Sequence, residues 1–226
     1  MPKITVLLAD DHTVVRRGLR ALLEAASDIE IVGEAETGRQ AVRLAGSLKP
    51  DVVLMDIAMP ELNGLEATRR ITEELPSVRV LILSSYNNDE YIHQLTECGA
   101  AGYLLKNAAP ADVVTAIREA RKGNAFFSPP IARRLMDHYR ETLVRGAPIL
   151  KPTDRLSSRE VEVLQLIAEG QGNKQIAADL GISVKTVERH RQSLMKKLDI
   201  HDVAGLTRYA ICRGIIEADP GGAKKA

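Results

Sequence analysis

The run Asp51-Val52-Val53-Leu54-Met55-Asp56, followed by Ile57-Ala58-Met59-Pro60, constrains the fold more than any other stretch of the chain. A short, unbroken apolar segment bounded by chain breakers is a strand covered on both faces. Such strands belong to parallel sheets sandwiched between helices. Pro60 and the Asn63-Gly64 pair then turn the chain sharply. Asp56 therefore stands at the strand's carboxyl end, the edge where open α/β sheets carry their chemistry. Taken alone, Asp56 fits the start of a turn just as well. The other strand ends decide between the two readings.

Ile4–Ala9 is a second β-rich segment and ends in Asp10-Asp11; residues 29–35 read as another strand. Arg79–Ser84 runs into Ser84-Ser85, and Gly102–Leu105 runs into Lys106. Helical spacing fills the intervals: 13–26 (Val14, Val15, Leu19, Leu22 and Leu23 inward), 38–48, 65–75, 89–98, and Pro110 to Lys122 before Gly123. Strands alternating with helices in this way predict a doubly wound, five-stranded parallel sheet. In that fold Asp10, Asp11, Asp56, Ser84 and Lys106 converge on one edge. Crowded carboxylates call for a hard divalent cation, most simply Mg2+. A hydroxyl and an ammonium opposite them suit phosphoryl oxygens. Neither GxxxxGK[ST] nor GxGxxG occurs, so no nucleotide is expected. A carboxylate can itself be the nucleophile in phosphoryl transfer, and Asp56 is placed for that. His12 beside Asp11 reads as solvated, because hard Mg2+ has little use for imidazole.

These residues, in this order and spacing, resemble the response-regulator receiver domain over residues 3–123. The resemblance implies a flavodoxin-like sheet of order 2-1-3-4-5 and phosphorylation at Asp56. It also implies Mg2+ held by Asp11 and Asp56 with help from Asp10, and phosphoryl oxygens bound by Ser84 and Lys106. Tyr103 falls at the family's switch aromatic, which acts with Ser84; a half-exposed strand tyrosine is the plainer reading of the same residue. Asn107 follows the lysine where many receivers have proline.

The two halves of the chain differ in charge. Residues 1–123 carry 14 Lys+Arg against 18 Asp+Glu, whereas residues 124–226 carry 17 against 12, which points the second half toward a polyanion. Two distant cysteines, no apolar run of membrane-spanning length and no signal-type N-terminus predict a cytoplasmic protein with no membrane partner.

Residues 124–155 read as a connector: a helix from Ser128-Pro129-Pro130 to about Val144, with Ile131, Leu135, Tyr139 and Leu143 in a loose rhythm, then a flexible linker. From Leu156 the pattern is helical. Ser157-Ser-Arg-Glu160 is a capping box, followed by an apolar face of Val161, Leu164, Ile167 and Ala168. Lys174–Leu180, the Gly181-Ile-Ser183 turn and a helix to Leu198 form a helix-turn-helix, with Val184, Val187, Leu194 and Leu198 inward. Lys185, Arg189, Arg191, Lys196 and Lys197 face outward against Glu188, which suits a phosphate backbone.

Residues 156–214 resemble the DNA-binding domain of LuxR-type and NarL/FixJ-type regulators, on Leu156–Leu164, Asn173–Ala177, Ser183–His190 and Lys196-Lys197-Leu198. The resemblance implies four helices, the third in the major groove of double-stranded DNA and the fourth, 203–212, pairing two copies. Glu188, Arg189 and Gln192 then face bases, while Lys174, Lys185, Thr186, Lys196 and Lys197 face phosphates. Residues 215–226 are expected to be a disordered tail. The reading is a response regulator of NarL/FixJ type, phosphorylated by a sensor histidine kinase and paired into a homodimer by phosphorylation. It assists only its own phosphorylation and dephosphorylation and is not otherwise an enzyme. Two alternatives are an aspartate-nucleophile phosphotransferase or phosphatase, and a DNA-binding regulator that works without phosphorylation. The first lacks the second carboxylate expected two residues after Asp56, where Ala58 stands.

Overall fold

The computed structural model describes residues 2–84, 98–145 and 156–216. The helix expected at 89–98 (all but Cys98, which stands in a turn), Ser85, the linker at 146–155 and the tail from 217 lie outside the described residues, as do the side chains of Tyr139 and Leu143. The chain divides into two compact units, residues 1–149 and 150–226.

The first unit carries β1 (Ile4–Ala9), α1 (Thr13–Glu24), β2 (Ile29–Ala35), α2 (Gly38–Leu48), β3 (Val52–Asp56), α3 (Gly64–Glu74), β4 (Arg79–Ser84), β5 (Gly102–Leu105), α4 (Pro110–Lys122), β6 (Phe126–Phe127) and α5 (Pro129–Arg145). The strands are all parallel, in the order β2-β1-β3-β4-β5-β6. The first five reproduce the 2-1-3-4-5 order. Alternate residues feed two faces, as the pleat requires. Val6, Leu8, Leu54, Leu81 and Leu104 pack under α1 and α4, with Leu23, Ile117 and Ala120. Leu7, Val53, Met55 and Val80 pack under α2 and α3, with Ala41, Ala45 and Ile71. Side-chain caps start the helices where the turns end: Thr37 accepts from Gln40 N–H, and Asn63 from Glu66 N–H. Gly64 lets α3 start directly against β3, because a Cβ there would run into the Asp56 carbonyl.

Two expectations change here. Val14 is 85% exposed, because residues two apart lie on opposite sides of a helix and Arg16 takes the buried side of that turn. The expected connector is in part built onto the sheet. Phe126 and Phe127 pair with Gly102 and Tyr103, and Ile131 is fully buried with Ile57, Ile82 and Tyr103. Ser128 joins the same strand twice, its N–H donating to Tyr103 O (2.9 Å) and its Oγ accepting from Leu105 N–H (3.2 Å).

The second unit is all helical: α6 (Ser158–Ala168), α7 (Asn173–Leu180), α8 (Val184–Leu198) and α9 (Val203–Cys212). The capping box is formed, Ser157 and Glu160 exchanging bonds at the start of α6. Gly181, at φ 62, ends α7 in the left-handed conformation, and Ser183 at once caps α8 by accepting from Thr186 N–H. α6 is central and buries more than one stripe: Val163 and Leu166 join Leu164 and Ile167 in the core. Val184, expected inward, is 37% exposed, since the first turn of α8 stands clear of the core. Ile215, expected in a disordered tail, is buried in that core. No described helix is long and apolar enough to cross a membrane.

Candidate functional site

Asp10, Asp11, Asp56, Ser84 and Lys106 follow the carboxyl ends of β1, β3, β4 and β5, so the parallel sheet delivers them to one edge. Lys106 N–H donates to Ser84 O (2.8 Å), which fixes the last two strand ends together, and the Lys106–Asn107 peptide is trans. The Lys106 ammonium donates to Asp56 Oδ2 (2.8 Å) and lies 3.0 Å from Asp10 Oδ2. Asp56 Oδ1 accepts from Ile57 N–H at 2.8 Å. Both aspartates are almost wholly buried.

Burial pushes the Asp56 carboxyl up to about 7; Lys106 opposes this, and the charges of Asp10 and Asp11 add to it. Burial would lower the Lys106 ammonium, but the attraction and hydrogen bonds of Asp56 and Asp10 outweigh it and hold the group above its ordinary value. Tyr103 is buried, and its hydroxyl is hydrogen-bonded to Ser84. Burial pushes that phenol to about 12, against the Ser84 bond and with help from the Asp56 charge.

The donor set fits a hard divalent cation. Asp10 Oδ2 is buried, and its one contact among the described residues is the Lys106 ammonium at 3.0 Å, which Asp10 shares with Asp56. Ligand atoms of Asp10, Asp11, His12 and Asp56 lie within 4.8 Å of one another. Carboxylate oxygens crowded in this way repel until a cation neutralises them.

On the second unit, Lys185, Glu188, Arg189 and Gln192 are exposed along one side of α8. With Ser183 and Thr186 they line an open concavity of about 440 Å³. Lys196 is exposed one turn further on, and Lys174 at the start of α7. Val203 and Ile211 leave apolar surface on α9.

Two family patterns match: "Response regulator receiver domain" over residues 6–118, and "Bacterial regulatory proteins, luxR family" over residues 154–210. The chain is similar to the transcriptional regulatory protein LiaR of Bacillus subtilis (strain 168), 42% identical over 92% of this chain and 96% of LiaR. The chain belongs to the NarL/FixJ family of response regulators. Among solved structures it is similar to RcsB of Salmonella enterica serovar Typhimurium bound to promoter rprA with the phosphomimetic BeF3-. There the identity is 28%, the TM-score is 0.60, and the match covers 92% of this chain and 98% of RcsB. It is likewise similar to RcsB in a structure of two RcsB dimers on two parallel DNAs (29% identity, TM-score 0.56, covering 92% and 97%).

This response regulator is thus a two-component protein that binds DNA through a LuxR-type helix-turn-helix. Its family consists in general of transcription factors rather than enzymes, and its acidic cluster is typical of the receiver Mg2+ site. Several residues of the two sites were not legible in the sequence. Arg16 is buried and donates to the Asp10 carbonyl (2.7 Å), while binding Glu34 (2.9 Å) and Glu36. It braces the loop that carries the acid cluster. An arginine on an expected apolar helix face, with two glutamates ending the next strand, was the available signal. Lys197, expected at phosphate, donates to Glu160 Oε2 (2.7 Å), and Ser193 donates to Glu160 Oε1 (2.6 Å). Arg191 donates to Asn173 Oδ1 (2.8 Å), which ties α8 to the start of α7.

Proposed function

We propose that this regulator accepts a phosphoryl group on Asp56 from a sensor histidine kinase and changes transcription by pairing on DNA. The receiver is assigned to residues 1–123, the connector to 124–155, with 126–135 packed on the receiver, and the DNA-reading unit to 156–214. The observation that carries the reading is the Lys106 ammonium held between Asp56 and Asp10, beside the Ser84–Tyr103 hydrogen bond, at one sheet edge.

An Asp56 carboxylate oxygen attacks the phosphorus of the donor's phosphoimidazole; the P–N bond breaks and the imidazole leaves. Lys106 and Ser84 hold the phosphoryl oxygens. Asp10, Asp11 and Asp56 would hold Mg2+, which supplies positive charge to the transferring group. Beyond this reaction and the hydrolysis of its product, no enzymatic role is assigned. Once Ser84 turns to the phosphoryl group, its bond to Tyr103 is lost. That biases the two-state element formed by β5 and the segment on it.

On DNA, Glu188, Arg189 and Gln192 face bases, and Lys174, Lys185, Thr186 and Lys196 face phosphates. The exposed apolar residues of α9 support pairing of two copies, as RcsB pairs on DNA. Work on chromosomal DNA places the protein in the cytoplasm. Asp56→Ala should abolish Mg2+-dependent labelling by acetyl phosphate. Undiminished, hydroxylamine-sensitive labelling of that variant would refute the assignment.

A further inference from the structure

We propose that His12 is a fourth ligand of the receiver's cation site, so that this pocket binds a borderline first-row cation such as Ni2+ or Cu2+ through nitrogen as well as oxygen. The inference rests on the reading of the acid cluster as a cation site and deepens it. Imidazole has little attraction for Mg2+ but suits Ni2+, Cu2+ and Zn2+, so the consequence is one of metal selectivity.

Four observations carry it. His12 Nδ1 stands 2.8 Å from Asp11 Oδ1 and 3.6 Å from Asp10 Oδ1, at the mouth of the cluster. The ligand atoms of Asp10, Asp11, His12 and Asp56 all lie within 4.8 Å of one another. A six-coordinate ion with bonds of about 2.1 Å places neighbouring ligands about 3 Å apart and opposite ones about 4.2 Å apart, so small side-chain shifts bring this group into one shell. The buried Asp10 carboxylate spans the pocket, its Oδ1 3.6 Å from the half-exposed imidazole and its Oδ2 3.0 Å from Lys106, so it offers an oxygen beside the ring. The imidazole is also free of structural duty in the helix. His12 is the N-cap of α1 but makes no side-chain cap bond; its main-chain N–H, not its ring, is held by Asp10 Oδ1 (2.8 Å). The ring can therefore turn from Asp11 to a cation without loosening α1.

A second role is possible for a histidine so placed: bracing Asp11 from behind, as outer-shell partners do. The two roles separate by metal. A brace serves every cation alike, whereas a ligand serves only those that accept nitrogen.

The test uses the untagged full-length protein, titrated calorimetrically with MgCl2 and with NiCl2, as wild type, His12→Ala and Asp11→Ala. Cu2+-loaded samples are read by electron spin echo envelope modulation, which detects a bound imidazole through its remote 14N. His12→Ala should weaken Ni2+ about tenfold or more, leave Mg2+ within about twofold, and remove the 14N signal. Equal weakening of both metals would reduce His12 to a brace and overturn the inference. So would an unchanged Ni2+ affinity or the absence of a 14N signal in the wild type. Asp11→Ala separates this from the parent reading. If it leaves Mg2+ binding intact, the cation site itself lies elsewhere.

Discussion

Two buried carboxylates in this response regulator each accept a hydrogen bond from a lysine, Asp56 from Lys106 at 2.8 Å and Glu160 from Lys197 at 2.7 Å, and they behave in opposite ways. Asp56 is pushed up to about 7, whereas Glu160 is held down at about 2. Burial opposes ionisation at both. The difference lies in what else surrounds them. Asp56 must share its lysine with Asp10, and the charges of Asp10 and Asp11 both repel its own. Among the described residues, the leading influences on Glu160 after burial are donors, with no acidic group among them. Lys197, Ser193 and both the main-chain and side-chain donors of Ser157 satisfy its oxygens. A buried carboxylate with its hydrogen bonds complete is architecture; one held among like charges is poised for a cation or a covalent change.

The largest effect should come from removing one charge from each site. Glu160→Gln removes the charge paired with Lys197 while a glutamine can still close the capping box, and should cost the second unit roughly 2–4 kcal/mol. Asp56→Asn removes a repelled charge and should stabilise the cation-free first unit at pH 8 by about 1–3 kcal/mol. Hydrogen exchange in the intact chain, followed on peptides from α6 and from β3, reads the two units separately. Destabilisation by both substitutions would break the comparison.

The same contrast sets two pH windows. The folded-state value of Asp56 is raised above the unfolded 3.8, so its favourable contribution is complete below about 4 and is lost as pH rises toward about 7. Glu160 is depressed below its unfolded 4.5, so its contribution is complete above that value and is lost as pH falls toward about 2. Without divalent cation, protection of β3 should therefore fall between pH 4 and 7 while that of α6 stays level, and protection of α6 should fall in acid. Mg2+ at 100 times its Kd should add about 2.7 kcal/mol to the first unit alone. Protection of β3 that rises with pH in the presence of chelator would contradict the placement of Asp56.

The ease with which these two sites read from sequence also differs. The acid pocket was legible because a parallel sheet gathers its strand ends by topology: once β1, β3, β4 and β5 are recognised, Asp10, Asp56, Ser84 and Lys106 must meet. Arg16 was not legible, since its partners Glu34 and Glu36 come from another strand end and a charged residue on α1 reads as solvated. Ser128 and Ile131 were assigned to a connector because nothing local shows that Phe126 and Phe127 add a strand beside Tyr103. Within the second unit, the capping box marked Glu160 as a helix start. Its further bonds to Ser193 and Lys197 depend on how α8 crosses α6, which no periodicity in either segment encodes.

That crossing changes what two adjacent lysines on α8 should do, and it gives the smallest effect of the set. On charge alone, Lys196 and Lys197 are equivalent phosphate contacts. The fold leaves both exposed but bonds Lys197 to a carboxylate that it helps to hold at about 2. An ammonium already neutralised by a partner displaces few counterions when DNA arrives, because leaving Glu160 for a phosphate would strand a buried charge. Lys196→Ala should therefore weaken binding to all sequences alike and reduce the slope of log K against log salt by about 1. Lys197→Ala should change that slope by well under 1 and instead lower the stability of the second unit, in the same direction as Glu160→Gln. Binding of each variant to promoter and non-promoter DNA across a salt series, beside hydrogen exchange of α6, separates the two. If Lys197→Ala shortens the salt slope as much as Lys196→Ala and leaves α6 protected, then Lys197 exchanges Glu160 for phosphate on DNA, and the second buried pair is part of the interface rather than of its support.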